Sequence, residues 1–291
     1  MPPLKTPPLV VSYFGPENTN THMAARLIYG PSVTYIAELT KTGVFEAVEN
    51  ARCDVGVVPI ENSTEGVVRE TIDCLINRSP MIEREFDMEL CHSLMMHPDG
   101  QTNHIRRIIS HPQPLAQCRK WLDKNYPQVP RESCISTASA AIIASKDKEV
   151  LAIGTHLAGD ALGLNILQEN ISDEKSNTTR FFCISKHDHA PTGRDKTSLV
   201  FTAPHERGAL LKVLSILNQT GVNMTRIESR PLPGQRWEYA FVVDLEGHRL
   251  ESPLKEALDK MKEIDCLAKI IGSYRRTEKA QPASKPSHSR P

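Results

Sequence analysis

The sequence predicts an α/β protein of two strand-and-helix lobes followed by a smaller ferredoxin-like βαββαβ unit. Three observations carry that prediction. Short β-branched runs, such as those at 54–60 and 150–153, alternate with segments of helical periodicity. Several of these runs end in polar turns before a helix begins, the place where parallel sheets bind ligands. Beyond a polar, Pro- and Gly-containing stretch at 188–196, the order becomes strand, helix, strand, strand, helix, strand.

The 291 residues are enough for two domains. Lys plus Arg and Asp plus Glu each number 35, so no global field favours nucleic acid or an anionic membrane, and a small-molecule partner is expected instead. No apolar run approaches the ~20 residues of a membrane span, and the start lacks the apolar core of a signal peptide, so the expected compartment is the cytoplasm. Seven cysteines occur singly, without a C-x-x-C pair, and read as reduced core thiols. Eleven histidines show no ligand spacing, so no metal is expected; no cofactor is expected either.

In order, Leu9 to Phe14 is a strand broken at Gly15-Pro16, and Thr19 or Thr21 caps a helix carrying Met23, Ala24, Leu27 and Ile28 on one face. Val44, Phe45, Val48 and Ala51 mark a second helix, and Asp54 to Ile60 a buried strand. Val67, Val68, Thr71, Ile72, Leu75 and Ile76 follow at helical spacing, which places Ser63 or Thr64 at a helix N-terminus suited to an anion. A second lobe begins near Met88, with strands at Glu89 to Met96, Ile105 to Ser110 and Val150 to Ile153, a helix through Cys118 and Leu122, and another capped by Ser136-Thr137. The lobes are expected to hold parallel strands. From Arg275 the chain is basic and rich in Pro and Ser, and reads as disordered.

No G-x-G-x-x-G, G-x-x-x-x-G-K-[ST] or G-x-S-x-G occurs, which withdraws support from dinucleotide, nucleoside triphosphate and hydrolase-elbow chemistry. Hydroxyls, amides and one guanidinium stand at element ends instead: Thr19, Asn62, Ser63, Thr137, Thr179 and Arg180. Each alone is an ordinary cap or turn residue. Together they suit a carboxylate-bearing small molecule, above all in Asn177-Thr178-Thr179-Arg180-Phe181, where a polar loop runs into an apolar strand.

Longer motifs carry a resemblance. Pro59-Ile60-Glu61-Asn62-Ser63 with Glu65-Gly66-Val67 and Thr71-Ile72-Asp73, then Ser110-His111-Pro112-Gln113, Ser136-Thr137-Ala138 and Thr179-Arg180-Phe181, resemble the prephenate dehydratase family in order and separation. Gly208-Ala209-Leu210 and Glu228-Ser229-Arg230-Pro231 resemble its phenylalanine-responsive ACT domain. The resemblance implies two α/β lobes with a cleft, as in periplasmic binding proteins, at 8–187 (second lobe about 88–168), a linker at 188–196, an ACT domain at 197–274 and a disordered tail at 275–291.

It further implies a lyase that removes carbon dioxide and water from prephenate in phenylalanine biosynthesis, with L-phenylalanine as allosteric inhibitor. The implied catalytic hydroxyl is Thr179, and Arg180, Asn62, Ser63, Thr137 and Thr19 contact or support the substrate. The implied effector site comprises Gly208, Ala209, Leu210, Asn223, Glu228, Ser229, Arg230 and Pro231. ACT domains commonly pair, so a homodimer or homotetramer is expected, and a monofunctional enzyme without a chorismate mutase module before the first strand is expected too. One motif departs: where the family shows Gly-Pro-x-Gly-Thr-Phe, this chain has Gly15-Pro16-Glu17-Asn18-Thr19-Asn20. Asn18 keeps a left-handed turn accessible, whereas Asn20 replaces a packed aromatic. Arogenate dehydration and a non-catalytic amino-acid sensor are the alternative functions.

Overall fold

The computed structural model describes residues 8–173, 177–203, 206–232, 239–264, 266, 268–277 and the backbone of 281–282. The first lobe comprises β1 (Val10–Phe14), α1 (Asn20–Tyr29), β2 (Thr34–Glu38), α2 (Lys41–Glu49), β3 (Val55–Asn62), β4 (Gly66–Val67), α3 (Arg69–Asn77) and β5 (Met81–Glu89). The second comprises β6 (Ser93–Met96), β7 (Arg107–Ser110), α4 (Pro112–Gln117), α5 (Arg119–Asn125), β8 (Arg131–Ser133), α6 (Thr137–Ala144), β9 (Val150–Gly154), α7 (His156–Ala161) and β10 (Asn165–Gln168). The chain then returns to the first lobe as β11 (Thr178–Ser185). The C-terminal unit holds β12 (Asp195–Thr202), α8 (Ala209–Thr220), β13 (Met224–Pro231), β14 (Tyr239–Glu246), α9 (Leu254–Glu263) and β15 (Ala268–Arg275), followed by β16 (Gln281–Pro282).

The first sheet runs β16-β5-β11-β3-β1-β2, with β4 paired to β3; the second runs β10-β6-β9-β7-β8, and the third β13-β14-β12-β15. The third is the expected βαββαβ sheet. The first two are mixed rather than parallel: β1 pairs in parallel with β2 and β3, but β11 is antiparallel to both β3 and β5. A strand that returns from the other lobe between β3 and β5 meets both of them head to tail. Glu89 to Met96 is two strands, because β5 belongs to the first sheet and β6 to the second.

β5 reads Met-Ile-Glu-Arg-Glu-Phe-Asp-Met-Glu, and its charges hid it from a search for apolar runs. They are tolerated because the third sheet covers that face: Glu85 is 2% exposed and accepts from Lys196 Nζ at 2.8 Å. Lys196, expected in a linker, is thus an internal residue of β12. One core is shared across this boundary, where Val58, Ile60, Ile72, Ile82 and Phe182 pack with Val200, Ala240, Val242 and Ile271. The expected disordered tail is in part anchored. Thr277 N and Oγ1 both donate to Glu85, and 281–282 pair with Met88 and Glu89 of β5; the remainder of the tail lies outside the described residues.

Candidate active site

Between the lobes, the end of β3, the start of β11 and the first turns of α1 and α6 enclose a cavity of about 350 Å3. Thr19, Asn62, Thr137 and Thr179 line it; Ser63 and Arg180 are not among its lining residues.

Strand pleat explains the division. Consecutive residues of β11 point to opposite faces, so Thr179 and Phe181 face the cleft while Phe182 packs into the core shared with the third sheet. Arg180 takes that rear face. Its Nε lies 2.9 Å and its Nη2 3.3 Å from the two carboxylate oxygens of Asp87, which corrects its expected part in holding substrate carboxylates. Burial alone would lower the guanidinium pKa, but Asp87, with Glu85 and Asp244 beyond it, raises it.

Asn62 reaches the cleft through an irregularity in β3. Arg180 pairs with Glu61 and Phe181 with Pro59, leaving Ile60 as the extra residue of a bulge. Pro59 faces the cleft, Ile60 lies in the rear core, Glu61 follows it to the rear, and Asn62 returns to the cleft. In a regular strand Asn62 would point backwards.

Ser63 and Thr64 do not begin a helix: α3 starts at Arg69, six residues beyond Ser63, and the intervening segment is a hairpin turn into β4. Ser63 Oγ accepts from Thr178 N at 3.0 Å, buckling the start of β11 to that turn. The anion-binding helix end expected at Ser63 is therefore absent, and its hydroxyl serves the backbone.

A directional hydrogen-bond chain fixes the Thr179 hydroxyl. Asn62 Oδ1 accepts from the backbone N–H groups of Thr64 (2.9 Å) and Glu65 (3.1 Å), so its Nδ2 must face the other way. There it donates to Asn177 Oδ1 at 2.7 Å and Thr179 Oγ1 at 2.8 Å. Asn177 Nδ2 in turn reaches Gln117 Oε1 at 3.4 Å, which also accepts from His92 Nε2 at 2.8 Å. Thr179 Oγ1 is thereby an acceptor toward Asn62, and its hydrogen is free for the cleft.

No Lys or Arg occurs among the described lining residues, and Glu65 is the one carboxylate. Positive potential comes instead from two helix N-termini on opposite lobes. Thr19 caps α1 by accepting from His22 N, and Ser136 caps α6 by accepting from Ser139 N, and Asn20, Thr21 and Thr137, which open the two helices, line the cavity. Asn18, at φ 64°, holds the left-handed turn before α1, and its N–H donates to His22 Nδ1 at 3.0 Å. Asn20 Oδ1 is buried at the cavity without a partner among the described residues. His92 is buried, and burial lowers its pKa against a smaller opposing effect of Gln117. His92, His111 and Gln113 are lining residues not found among the element ends; the Ser110-His111-Pro112-Gln113 motif signals His111 and Gln113, and no motif marks His92.

In the C-terminal unit, Gly208 is left-handed at φ 83° with open space where a Cβ would stand, and it precedes Ala209 and Leu210 at the start of α8. Asn223 lies in the turn from α8 to β13, its carbonyl accepting from Glu246 N. Ser229 pairs with Phe241 on the helix-covered face, whereas Glu228 pairs with Val242 on the face toward the first lobe. Arg230 shares that second face and binds Asp73 of α3 through both carboxylate oxygens at 2.7 and 2.8 Å. It is a boundary ion pair rather than the effector contact expected of it. Pro231 ends the strand opposite Tyr239.

A family profile described as prephenate dehydratase matches residues 11–189, and one described as ACT domain matches residues 197–263. A bifunctional chorismate mutase/prephenate dehydratase from Aquifex aeolicus is 42% identical over 91% of this chain and 73% of its own length. The structure of prephenate dehydratase from Arthrobacter aurescens in complex with L-Phe superposes with TM-score 0.84 at 33% identity, over 97% of this chain and 94% of that one. A protein described as GqqA, a novel type of quorum quenching acylase, superposes with TM-score 0.85 at 30% identity, over 92% and 98%.

Proposed function

The chain belongs to the prephenate dehydratase family and is a carbon–oxygen lyase with an ACT regulatory domain, and on that premise we propose how its residues act. Prephenate loses its ring carboxylate as carbon dioxide and its ring hydroxyl as water, giving phenylpyruvate. Aromatisation drives the reaction, so what the enzyme supplies is a grip on the dianion and help for the departing oxygen. Thr179 gives that help. Its hydroxyl holds its proton far above neutral pH and is a poor acid, so it acts as a positioned hydrogen-bond donor to the leaving oxygen. The observation that carries this role is the Asn62 Nδ2 to Thr179 Oγ1 bond of 2.8 Å, which leaves the hydroxyl hydrogen without a partner among the described residues. The N-termini of α1 and α6 take the carboxylates, since the described lining residues include no cation.

For the acylase chemistry named for one structural relative, Thr179 could serve as nucleophile only beside a base. The group bonded to its oxygen is instead an amide donor. Arogenate is a second substrate that one observation favours: Asn20 Oδ1, buried and unpartnered at the cavity, is an acceptor for its ammonium. Incubation with prephenate while phenylpyruvate absorbance is followed tests the first reading, and the same assay with arogenate tests the second. No turnover of prephenate would overturn the proposed mechanism.

Phenylalanine binds the C-terminal unit at the open α8 N-terminus, with Ser229 on the same side of the sheet, and inhibits the cleft. The L-Phe complex of the Arthrobacter protein supports this reading. Calorimetric titration of the full chain checks it, and an absence of heat together with uninhibited turnover would sink it. The expected dimer or tetramer belongs with this proposal, because β13 is an edge strand with Ile227 45% exposed on its effector side.

A further inference from the structure

Behind the cleft, the first and third sheets meet across a boundary holding several buried charges. Three of its cations bond a carboxylate directly: Lys196 to Glu85 at 2.8 Å, Arg180 to Asp87 at 2.9 Å and Arg230 to Asp73 at 2.7 Å. Arg226 of β13 does not. Its side chain is 7% exposed, yet Nε stops 3.6 Å from Glu61 Oε2 and Nη1 3.8 Å from Asp244 Oδ2. Among the described residues none of its three nitrogens has a hydrogen-bond partner, and neither has Asp244 Oδ2.

We propose that Arg226, although it lies on the far side of the sheet from the substrate, is a positioning residue for the Asn62–Thr179 pair. A guanidinium buried between two carboxylates and bonded to neither carries the desolvation penalty of its unmade donors. A movement of under about 1 Å brings it to hydrogen-bonding distance of one carboxylate and away from the other. Those are two discrete arrangements of one side chain. Closing on Glu61 ties β13 to the residue immediately before Asn62. Glu61 and Asn62 leave the Ile60 bulge on opposite faces, and their partners are Arg180 and Thr179 in the same order. A pull on Glu61 therefore acts on the peptide that aims Asn62 Nδ2 at Thr179 Oγ1. Closing on Asp244 confines the charge to the third sheet and releases β3. The strand that carries Arg226 also carries Ser229 on its opposite, effector-side face, so a ligand that displaces β13 moves both.

This inference rests on the reading of Thr179 as the donor, and its test separates the two. Glu61→Gln, at a side chain 36% exposed, removes the attraction with little threat to folding. It is expected to lower kcat about tenfold while KM stays within about twofold, the pattern of a misaimed transition-state group. Arg226→Met has the same effect, Arg226→Lys recovers part of the loss, and the Glu61→Gln/Arg226→Met double variant is no slower than the slower single one. Lys269→Gln is the control: Lys269 Nζ crosses the same boundary to the carbonyls of Leu75, Ile76 and Arg78 at the end of α3 rather than to β3, so its loss lowers the melting temperature and leaves kcat unchanged. Parental kcat in Glu61→Gln, additive losses in the double variant, or an equal kcat loss in Lys269→Gln each overturns the proposal. Should Arg226→Met fail to fold, Glu61→Gln and Arg226→Lys decide it alone. A fully active Glu61→Gln beside an inactive Thr179→Val sinks this inference and spares the donor reading. An active Thr179→Val sinks both.

Discussion

Asn62 donates one amide hydrogen to Asn177 and the other to Thr179, while its carbonyl oxygen is held by two backbone N–H groups. A flipped amide would set hydrogens against hydrogens, so the orientation is determined and Thr179 inherits it. Thr179→Val keeps the shape and removes the donor; turnover should fall by roughly a hundredfold or more, while Thr179→Ser retains much of it, as steady-state assays with prephenate would show. Asn62→Asp offers Thr179 an acceptor in place of a donor and turns its hydroxyl away from the cleft. It should therefore lose more kcat than Asn62→Ala, and the reverse order would contradict the directional chain. Arg180 separates structure from binding in the same way. With Asp87 as its partner, Arg180→Lys loses the two-pronged contact and should lower thermal stability with KM unchanged, whereas a raised KM would restore the substrate role the sequence suggested.

Strands and helices decide which of these residues meet, and here the sequence was legible to different depths. Thr179 and Asn62 could be found because hydroxyl and amide residues at strand ends are visible in one dimension. Arg180 was misjudged beside Thr179, although neighbours in a strand cannot share a face. The pairing of Asn62 rather than Ser63 with Thr179 was hidden, because it depends on a bulge at Ile60 that only the register shows. β5 was hidden because its charged face is buried by a sheet more than a hundred residues away in the chain. The first turn of α1 adds a pH dependence. His22 stacks on Tyr13 at 4.5 Å and accepts from Asn18 N; burial, then Arg26, lowers its pKa against Glu17, and burial lowers that of His92. Both rings stay neutral below the ordinary 6.5, so the unfolded chain takes up protons first. Stability complete above pH 6.5 is lost as pH falls toward the lowered folded values. Thermal melts between pH 7.5 and 5 (roughly the window for such a shift) should show this decline, and His22→Gln should make it shallower.

Across the whole molecule, the C-terminal unit is a wall of the first lobe as much as an attachment to it. Tyr274 packs on Phe182 at 5.8 Å, and a Cβ on Gly272 would stand 2.3 Å from the carbonyl oxygen of Ile82. Gly272→Ala must push β15 off β5, and it should cost about 2 kcal/mol of stability, the scale of an overpacked core. For the same reason calorimetry of the full chain should show one unfolding transition, and two well-separated ones would contradict the shared core. A chain ending near His189 would expose Ile60, Ile82 and Phe182, so insensitivity to phenylalanine is better sought with point variants than by truncation. The return of β11 between β3 and β5 also governs the order of events on the ribosome. Until residues 178–185 leave the exit tunnel, β3 and β5 have no strand to join them, and both display unpaired edges to solvent or to a chaperone. The second lobe, whose five strands lie within 93–168, can close while the first still waits, so the part of the chain made first is among the last to finish folding.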